Sequence, residues 1–431
     1  MTTYRPVRGM RDFLPEDLAQ RRFVEAKVRD CFTSYGYEEI ETPVLESFDL
    51  ISAKAGDEIR HRMYAFDDLG GRKVALRPEI TPSIARVVAN KLRTNVKPLR
   101  LGYIANCFRY DNPQKGRYRE FWQAGFELFG SSHPVADAEV IAVNNELMQR
   151  LGFTEFFIKV GHVAVLRELL TEEGVDDADQ NALLDHLDKR ETAKAQDLLR
   201  ALRVSAACHE TIDGLFGLRG VDWTTILAKG RSLLRERAGA LAALDALENI
   251  LGLARSFGVK TPFFLDLGFA RGLEYYTGMI FEVYVPELGI ALGGGGRYDG
   301  LVELFGGEPL PAVGCAPGID RLVLALGQKG LFPETLTHVT KTLVISVSEA
   351  LLSTALELAA DLREHGVVAH NEVTGRNVGA ALSYAAKKQY RYVVIVGPKE
   401  LERGGVILRD LKAKAQREVL VARLSDELGG P

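Results

Sequence analysis

Residues 100–130 constrain this chain more than any other stretch. Two β-rich runs flank Asp111-Asn112-Pro113-Gln114-Lys115-Gly116, a turn composition, and together predict a long hairpin. Side chains on a strand alternate between its faces. In the return strand Phe121, Gln123, Gly125 and Glu127 share one face, and Trp122, Ala124, Phe126 and Leu128 share the other. The second set is apolar and belongs in a core. The first carries an amide and a carboxylate with a glycine gap between them. That pattern suits a small polar ligand resting on the sheet; it equally suits a solvent-facing strand whose Gln and Glu are hydrated.

Charge adds to the hairpin's character. Residues 91–120 contain eight cations (Lys91, Arg93, Lys97, Arg100, Arg109, Lys115, Arg117 and Arg119) against Asp111 and Glu120, a local balance of +6 in a chain of net charge -4. Arginine on a Pro/Gly loop suits phosphate, which its planar fork grips in a bidentate way. A solvated charged loop is the plainer alternative. The whole-chain balance excludes a uniformly basic nucleic-acid coat but permits a local basic patch.

The chain's 431 residues divide by texture. Residues 1–162 mix helical and strand patterns. Residues 163–260 show helical spacing, as in Leu166, Leu169, Leu170 and Leu183, Leu184, Leu187, and read as a helical insertion. Residues 261–327 return to strands and become glycine-rich. A Gly, Pro and Thr linker covers 328–340. Residues 341–431 alternate strand and helix: 343–347, 367–369, 392–396 and 406–411 read as strands, 350–364 and 378–389 as helices. This is a small α/β domain with a mostly parallel sheet. The four cysteines have no Cys-x-x-Cys spacing and read as buried thiols. The eight histidines show no metal spacing, so no metal site is expected. The N-terminus has no apolar signal core, and no run is long and apolar enough to span a bilayer; a reducing cytoplasm is the expectation.

Other segments carry chemistry. Leu76-Arg77-Pro78-Glu79-Ile80-Thr81-Pro82 follows a strand and precedes a helix expected from about Ser83. A carboxylate and a hydroxyl at such a turn can collect an ammonium group, or simply cap the helix. Leu292-Gly293-Gly294-Gly295-Gly296-Arg297-Tyr298 lets backbone approach a ligand closely. It lacks the lysine of a P-loop and the spacing of a dinucleotide-binding turn.

Phe108-Arg109-Tyr110 before the loop, with Pro113-Gln114, Gly116-Arg117, Phe121 and Gln123-x-Gly125-x-Glu127 after it, resembles motif 2 of class II aminoacyl-tRNA synthetases in its histidyl form. Arg8-Gly9-Met10-Arg11-Asp12-Phe13-Leu14-Pro15 is similar to that family's N-terminal signature, and Thr42-Pro43 sits where motif 1 places its dimer-interface proline. Ala270-Arg271-Gly272-Leu273-Glu274-Tyr275-Tyr276 resembles the histidine-specific motif. Pro311-Ala312-Val313-Gly314 through Asp320-Arg321 is similar to motif 3. Cys315 departs there, where the family usually has an aromatic, and Pro317 is uncommon. Residues 375–411 resemble the family's anticodon-binding domain.

The resemblance implies an α+β catalytic domain built on a mixed, mostly antiparallel sheet flanked by helices, with a helical insertion and a C-terminal α/β anticodon-binding domain. It also implies ATP-dependent activation of L-histidine and transfer to tRNA(His), with Mg2+ neutralising the phosphates, in a cytoplasmic homodimer. Arg109 and Arg271 would be catalytic, both at the α-phosphate. Arg109, Arg117, Phe121 and Arg321 would hold ATP, Phe121 stacking on adenine. Glu79, Ile80, Thr81, Gln123, Glu127, Tyr275, Tyr276 and Tyr298, together with Arg109 and Arg271, would bind histidine. Gln114, Lys115 and Arg117 would meet the tRNA acceptor end. A neutral imidazole has one donor and one acceptor, so Glu127 and a tyrosine hydroxyl can bond both ring nitrogens. The competing expectation is a non-catalytic relative, the synthetase-like regulatory subunit of ATP phosphoribosyltransferase. That relative typically lacks the last domain and the arginine at the position of Arg271.

Overall fold

The computed structural model describes residues 4–113, 116–189, 191–271, 273–336 and 340–429. The chain folds as two compact units, residues 1–332 and 333–431. The first contains β1 (Glu38–Glu39), β2 (Leu45–Ser47), β3 (Tyr64–Asp67), β4 (Lys73–Leu76), β5 (Leu99–Phe108), β6 (Glu120–Phe129), β7 (Phe157–His162), β8 (Arg219–Gly220), β9 (Phe263–Asp266), β10 (Met279–Tyr284), β11 (Ala291–Arg297) and β12 (Ala312–Cys315). Nine of these form one sheet in the order β1-β5-β6-β12-β11-β10-β7-β9-β8. Only β1·β5 and β7·β9 pair in parallel. The sheet is therefore mixed and mostly antiparallel, as the family resemblance implied. β2, β4 and β3 make a separate small sheet.

The expected hairpin is β5–β6, in register from Leu99↔Phe129 to Phe108↔Glu120. Its alternation holds. Ala124, Phe126 and Leu128 enter a core shared with helices Pro15–Tyr35, Pro134–Arg150 and Ala238–Ser256, with Trp122 packed against it. Phe32 of the first helix meets Phe126 edge-on at 5.1 Å. Its ring also covers Gly102, where a Cβ would lie 2.5 Å from the ring. The opposite face packs Tyr103, Phe129, Tyr275, Tyr276 and Tyr298 against Ile80 and Ile84, at the start of the helix Thr81–Asn90 that precedes the hairpin, in a second apolar cluster. One strand thus separates a dry core from the layer that holds the cavity.

Among the described residues, the helical spacing of residues 163–260 produces six helices, from Val163–Glu172 to Ala238–Ser256. Their leucines, including Leu166, Leu169, Leu244 and Leu247, lie in the same buried cluster as Phe126 and Val160. Burying such a stripe against the sheet is what stabilises short helices in water. The stretch also adds β8 to the sheet edge beside β9. The helix Ile319–Lys329 ends at Gly330 in the left-handed conformation.

The second unit contains β13 (Thr342–Ser346), β14 (Ala369–Asn371), β15 (Tyr392–Val396), β16 (Gly405–Asp410) and β17 (Ala415–Leu420), ordered β14-β13-β15-β16-β17. The expectation of a mostly parallel sheet fails here. β13 pairs in parallel with β14 and β15, but β15·β16 and β16·β17 are antiparallel. β17 escaped the sequence reading because only Val419 of its six residues is buried. Its turn also lacks glycine and proline, with Lys414 taking the positive φ of 53° instead.

Candidate functional site

A cavity of about 360 Å3 opens over β6, β12, β11 and β10. Glu79, Thr81, Arg109, Arg117, Phe121, Gln123, Glu127, Arg271, Tyr275, Tyr276, Tyr298 and Arg321 all line it. These residues come from positions far apart in the chain, and the sheet order brings them together. Ile80 is different: it is buried in the apolar cluster and does not line the cavity. Gln114 and Lys115 lie outside the described residues.

The buried end is polar and densely paired. Glu127 accepts a hydrogen bond from Thr81 Oγ1 at 2.7 Å on Oε1, and one from the Tyr298 hydroxyl on Oε2. Glu79 Oε2 accepts from the Tyr275 hydroxyl at 3.0 Å, while Oε1 is buried with no partner among the described residues. The helix after β4 begins at Thr81, earlier than the sequence suggested, and its first turn has no side-chain cap. Thr81 and Glu79 therefore face the cavity rather than cap the helix. Likewise Gln123 and Glu127 are not a solvent-facing pair: Glu127 is 1% exposed. Gln123 Oε1 accepts from Cys107 Sγ at 3.2 Å.

The space over Gly125 is a correction to the sequence picture. It is not room for a ligand, because Tyr103 stands opposite Gly125 in the hairpin register and fills it. A Cβ at residue 125 would lie 2.1 Å from the Tyr103 ring. Tyr103 lines the cavity and was missed, since nothing in the sequence reveals which residue of one strand meets which of the other.

The glycines of β11 and β12 make the floor. A Cβ at Gly314 would lie 1.7 Å from Glu127 Oε2, and one at Gly295 2.0 Å from the Gly314 carbonyl oxygen. Arg297, at the end of β11, is fixed by Asp137 and by the Ser131 carbonyl oxygen at 3.0 Å.

Arginines line the same cavity. Arg109 Nε donates to the Pro78 carbonyl at 2.9 Å, and its guanidinium lies 5.3 Å from the centre of the Phe121 ring. Arg271 Nη1 donates to the Tyr276 hydroxyl at 3.3 Å. Arg321 Nη1 donates to the Ala291 carbonyl at 2.8 Å. Burial lowers the Arg321 pKa, and the neighbouring Arg109 and Arg117 charges lower it further. Three like charges facing one space are repulsive until an anion arrives.

The local excess of +6 is only partly aimed at this space. Arg100 is engaged bidentately by Glu139 at 2.7 Å on each arm. Lys97 bonds the carbonyls of Leu92, Arg93 and Asn95. Arg119 is buried, with its guanidinium 3.6 Å from the centre of the Tyr110 ring. Among the described cations of residues 91–120, Arg109 and Arg117 line the cavity. Arg117 pairs with Asp111 at 3.4 Å, and Asp111 also meets Arg62 at 3.1 Å. Arg11, from the N-terminal signature, pairs with Asp320 and stacks 3.3 Å from the centre of the Tyr118 ring.

Burial raises the pKa of Glu79, opposed by the Arg109 charge and the Tyr275 hydrogen bond. Burial pushes Glu127 up from 4.5 to about 7, with the Tyr298 and Thr81 hydrogen bonds opposing. The folded protein thus holds this proton more tightly than the unfolded chain. Stability contributed by the protonated form is present below about 4.5 and is lost as pH rises towards about 7. The loss in the empty protein reaches ~3 kcal/mol at most. Urea melts of wild type and Glu127→Gln should therefore diverge across this window, wild type losing ground; a difference independent of pH would contradict the assignment.

Comparison with known proteins agrees with this geometry. A model of histidyl-tRNA synthetase matches residues 9–322, and a model of an anticodon binding domain matches residues 341–429. The chain is 40% identical to a histidine–tRNA ligase of Thermococcus kodakarensis over 428 residues, covering 98% of this chain and 97% of that one. It is 39% identical to one from Methanocaldococcus jannaschii, covering 97% and 98%. Among solved structures it is similar to a Bacillus halodurans protein described as an ATP phosphoribosyltransferase regulatory subunit/histidyl-tRNA synthetase. That match has a TM-score of 0.76 and 28% identity, covering 92% of this chain and 100% of that one. The histidyl-tRNA synthetase of Nostoc shares the fold with a TM-score of 0.78 at 24% identity, covering 99% of each chain. Near-complete coverage at this identity, on a fold that gathers the expected side chains in one cavity, decides the matter: the chain belongs to the histidyl-tRNA synthetase family.

Proposed function

We propose that this chain is a histidine–tRNA ligase whose adenylation site is the cavity above β6, β12, β11 and β10. A carboxylate oxygen of L-histidine attacks the α-phosphorus of ATP, the bond to the pyrophosphate oxygen breaks, and histidyl-adenylate forms. A hydroxyl of the terminal tRNA ribose then attacks the acyl carbon and AMP leaves. The observation that carries the reading is the pairing of opposite chemistries in one cavity. Buried Glu79 and Glu127 line it together with Arg109, Arg271 and Arg321, and the Arg109 and Arg271 charges act on Glu79.

Each group has a role that its surroundings support. Glu79 Oε1, buried and unpartnered, suits the α-ammonium group. Glu127 and the tyrosine hydroxyls suit the imidazole nitrogens. A site that pairs a polar ring leaves its own groups unpaired when an apolar analogue enters, which is the strongest source of discrimination available to it. Arg109 and Arg271 stabilise the charge that develops at the α-phosphate. Phe121 stacks on the adenine, Arg321 faces the ATP tail, and Arg117 helps to hold the phosphates. Mg2+ arrives with the ATP phosphates as part of that substrate. Arg117 also serves the acceptor end of tRNA, as the sequence motif implies for Gln114 and Lys115, and residues 341–431 bind its anticodon arm.

The regulatory-subunit alternative is not favoured, because Arg271 lines the cavity and the last domain is present. A homodimer through the region of Pro43 is supported by the exposure of Val44, Leu45 and Phe66 on and beside the small sheet. Among the described residues no helix is long and apolar enough to cross a membrane, and the cysteines are buried and unpaired; we assign the protein to the cytoplasm. Histidine-dependent exchange of labelled pyrophosphate into ATP tests the first half-reaction. Exchange should require L-histidine; its absence from folded, ATP-binding protein would refute the reading.

A further inference from the structure

We propose that Glu282 is a positioning residue for Arg271, itself fixed by Tyr284; this rests on the adenylation reading above. Arg271 lies on the irregular segment between β9 and β10, where backbone alone does little to aim a long side chain. Its guanidinium must nevertheless be held still to act on a transition state. Glu282 supplies a fixed partner. It sits in the middle of β10, paired with Gly294 of β11 on one side and Lys159 of β7 on the other. Its Oε1 lies 3.5 Å from Arg271 Nε.

Glu282 is in turn held from two residues along the same strand face. The Tyr284 hydroxyl donates to Glu282 Oε2 at 2.6 Å. The Tyr284 ring stacks on Phe157, with centroids 5.5 Å apart and planes 14° from parallel. One carboxylate oxygen is thereby committed to the strand and the other to Arg271. Tyr276 takes a second corner of the guanidinium through Nη1 at 3.3 Å. Gly294 makes room for the arrangement: a Cβ there would lie 2.8 Å from Arg271 Nη1 and 3.0 Å from Glu282 Cγ. A chain of contacts thus runs from a stacked aromatic pair to the arginine that faces the α-phosphate.

The alternative is that Glu282 merely offsets the Arg271 charge. Removing its own charge would then leave more positive potential at the phosphate and speed the reaction. Pyrophosphate exchange separates the two. Glu282→Gln should lower kcat by about tenfold or more while the KM for histidine changes by no more than about twofold. Tyr284→Phe should lower kcat in the same direction by a smaller factor, about threefold. In the Arg271→Ala background, Glu282→Gln should have almost no further effect, because the residue it positions is gone. Thermal melts of each variant guard against a folding defect, which would not produce that dependence on Arg271. A Glu282→Gln enzyme with wild-type or higher kcat, or effects that multiply independently of Arg271, would overturn the proposal. Either result leaves the adenylation reading intact as long as wild type exchanges and Arg271→Ala exchanges far more slowly.

Discussion

Arg271→Ala should slow histidine-dependent pyrophosphate exchange by about a hundred- to a thousandfold, the size usual for removing one preorganised donor from developing charge. The KM for histidine should change little, because the contacts proposed for the ring and the ammonium group come from Glu127, Glu79 and the tyrosine hydroxyls. The effect is large because the guanidinium acts where water is scarce and charge interactions are strong. It should also be specific. Arg271→Lys keeps the charge but loses the planar fork that reaches Glu282 and Tyr276 together, so it should recover only part of the rate. Steady-state exchange at varied histidine checks both variants. A rate within about threefold of wild type for Arg271→Ala would remove it from the reaction.

Gly314→Ala should abolish productive histidine binding. The added Cβ would lie 1.7 Å from Glu127 Oε2 and 2.8 Å from the Phe126 carbonyl oxygen. Glu127 cannot simply swing aside, since Thr81 and Tyr298 hold its two oxygens. Either the carboxylate leaves Tyr298, or β12 parts from β6, with which Gly314 pairs opposite Glu127. The expected result is a rise of about a hundredfold or more in the KM for histidine, or complete loss of exchange, together with a lowered melting temperature. Gly300→Ala is the control. Nothing lies within 4 Å of its added Cβ, and its φ is -85°, so exchange and melting should be unchanged. A Gly314→Ala enzyme with wild-type KM would show that Glu127 is not part of the histidine pocket.

Much of this architecture was legible because its signals are local. Alternation in residues 121–128 separated the core face from a polar face without any knowledge of the rest of the chain, and left open whether that polar face met a ligand or water. Leucine spacing in residues 163–260 marked the helices. The clustering of Glu79, Arg109, Glu127, Arg271 and Arg321 was legible only through the resemblance of separate motifs, since no pattern in one segment predicts contact with another. What stayed hidden depends on register and on three-dimensional neighbours. Tyr103 fills the gap over Gly125 because the hairpin pairs those two positions, and composition cannot state a register. Local charge counting overstated the phosphate-facing patch, because Arg100 spends its donors on Glu139 while Lys97 and Arg119 spend theirs on backbone carbonyls, that of Asp111 among them. The β16–β17 hairpin was hidden by a polar edge strand. Nothing in the sequence singles out Glu282 or Tyr284, because the contacts of Glu282 with Arg271 and with Tyr284 arise only in the fold.

The central claim is that this cavity activates histidine for transfer to tRNA. Charging of tRNA(His) by the full chain with labelled L-histidine and ATP tests it most directly. The account predicts acid-precipitable histidine that depends on ATP and on that tRNA, and that falls by about a hundredfold or more in Arg271→Ala. Labelled histidine that never becomes attached to tRNA, from a protein that is folded and binds ATP, would contradict it.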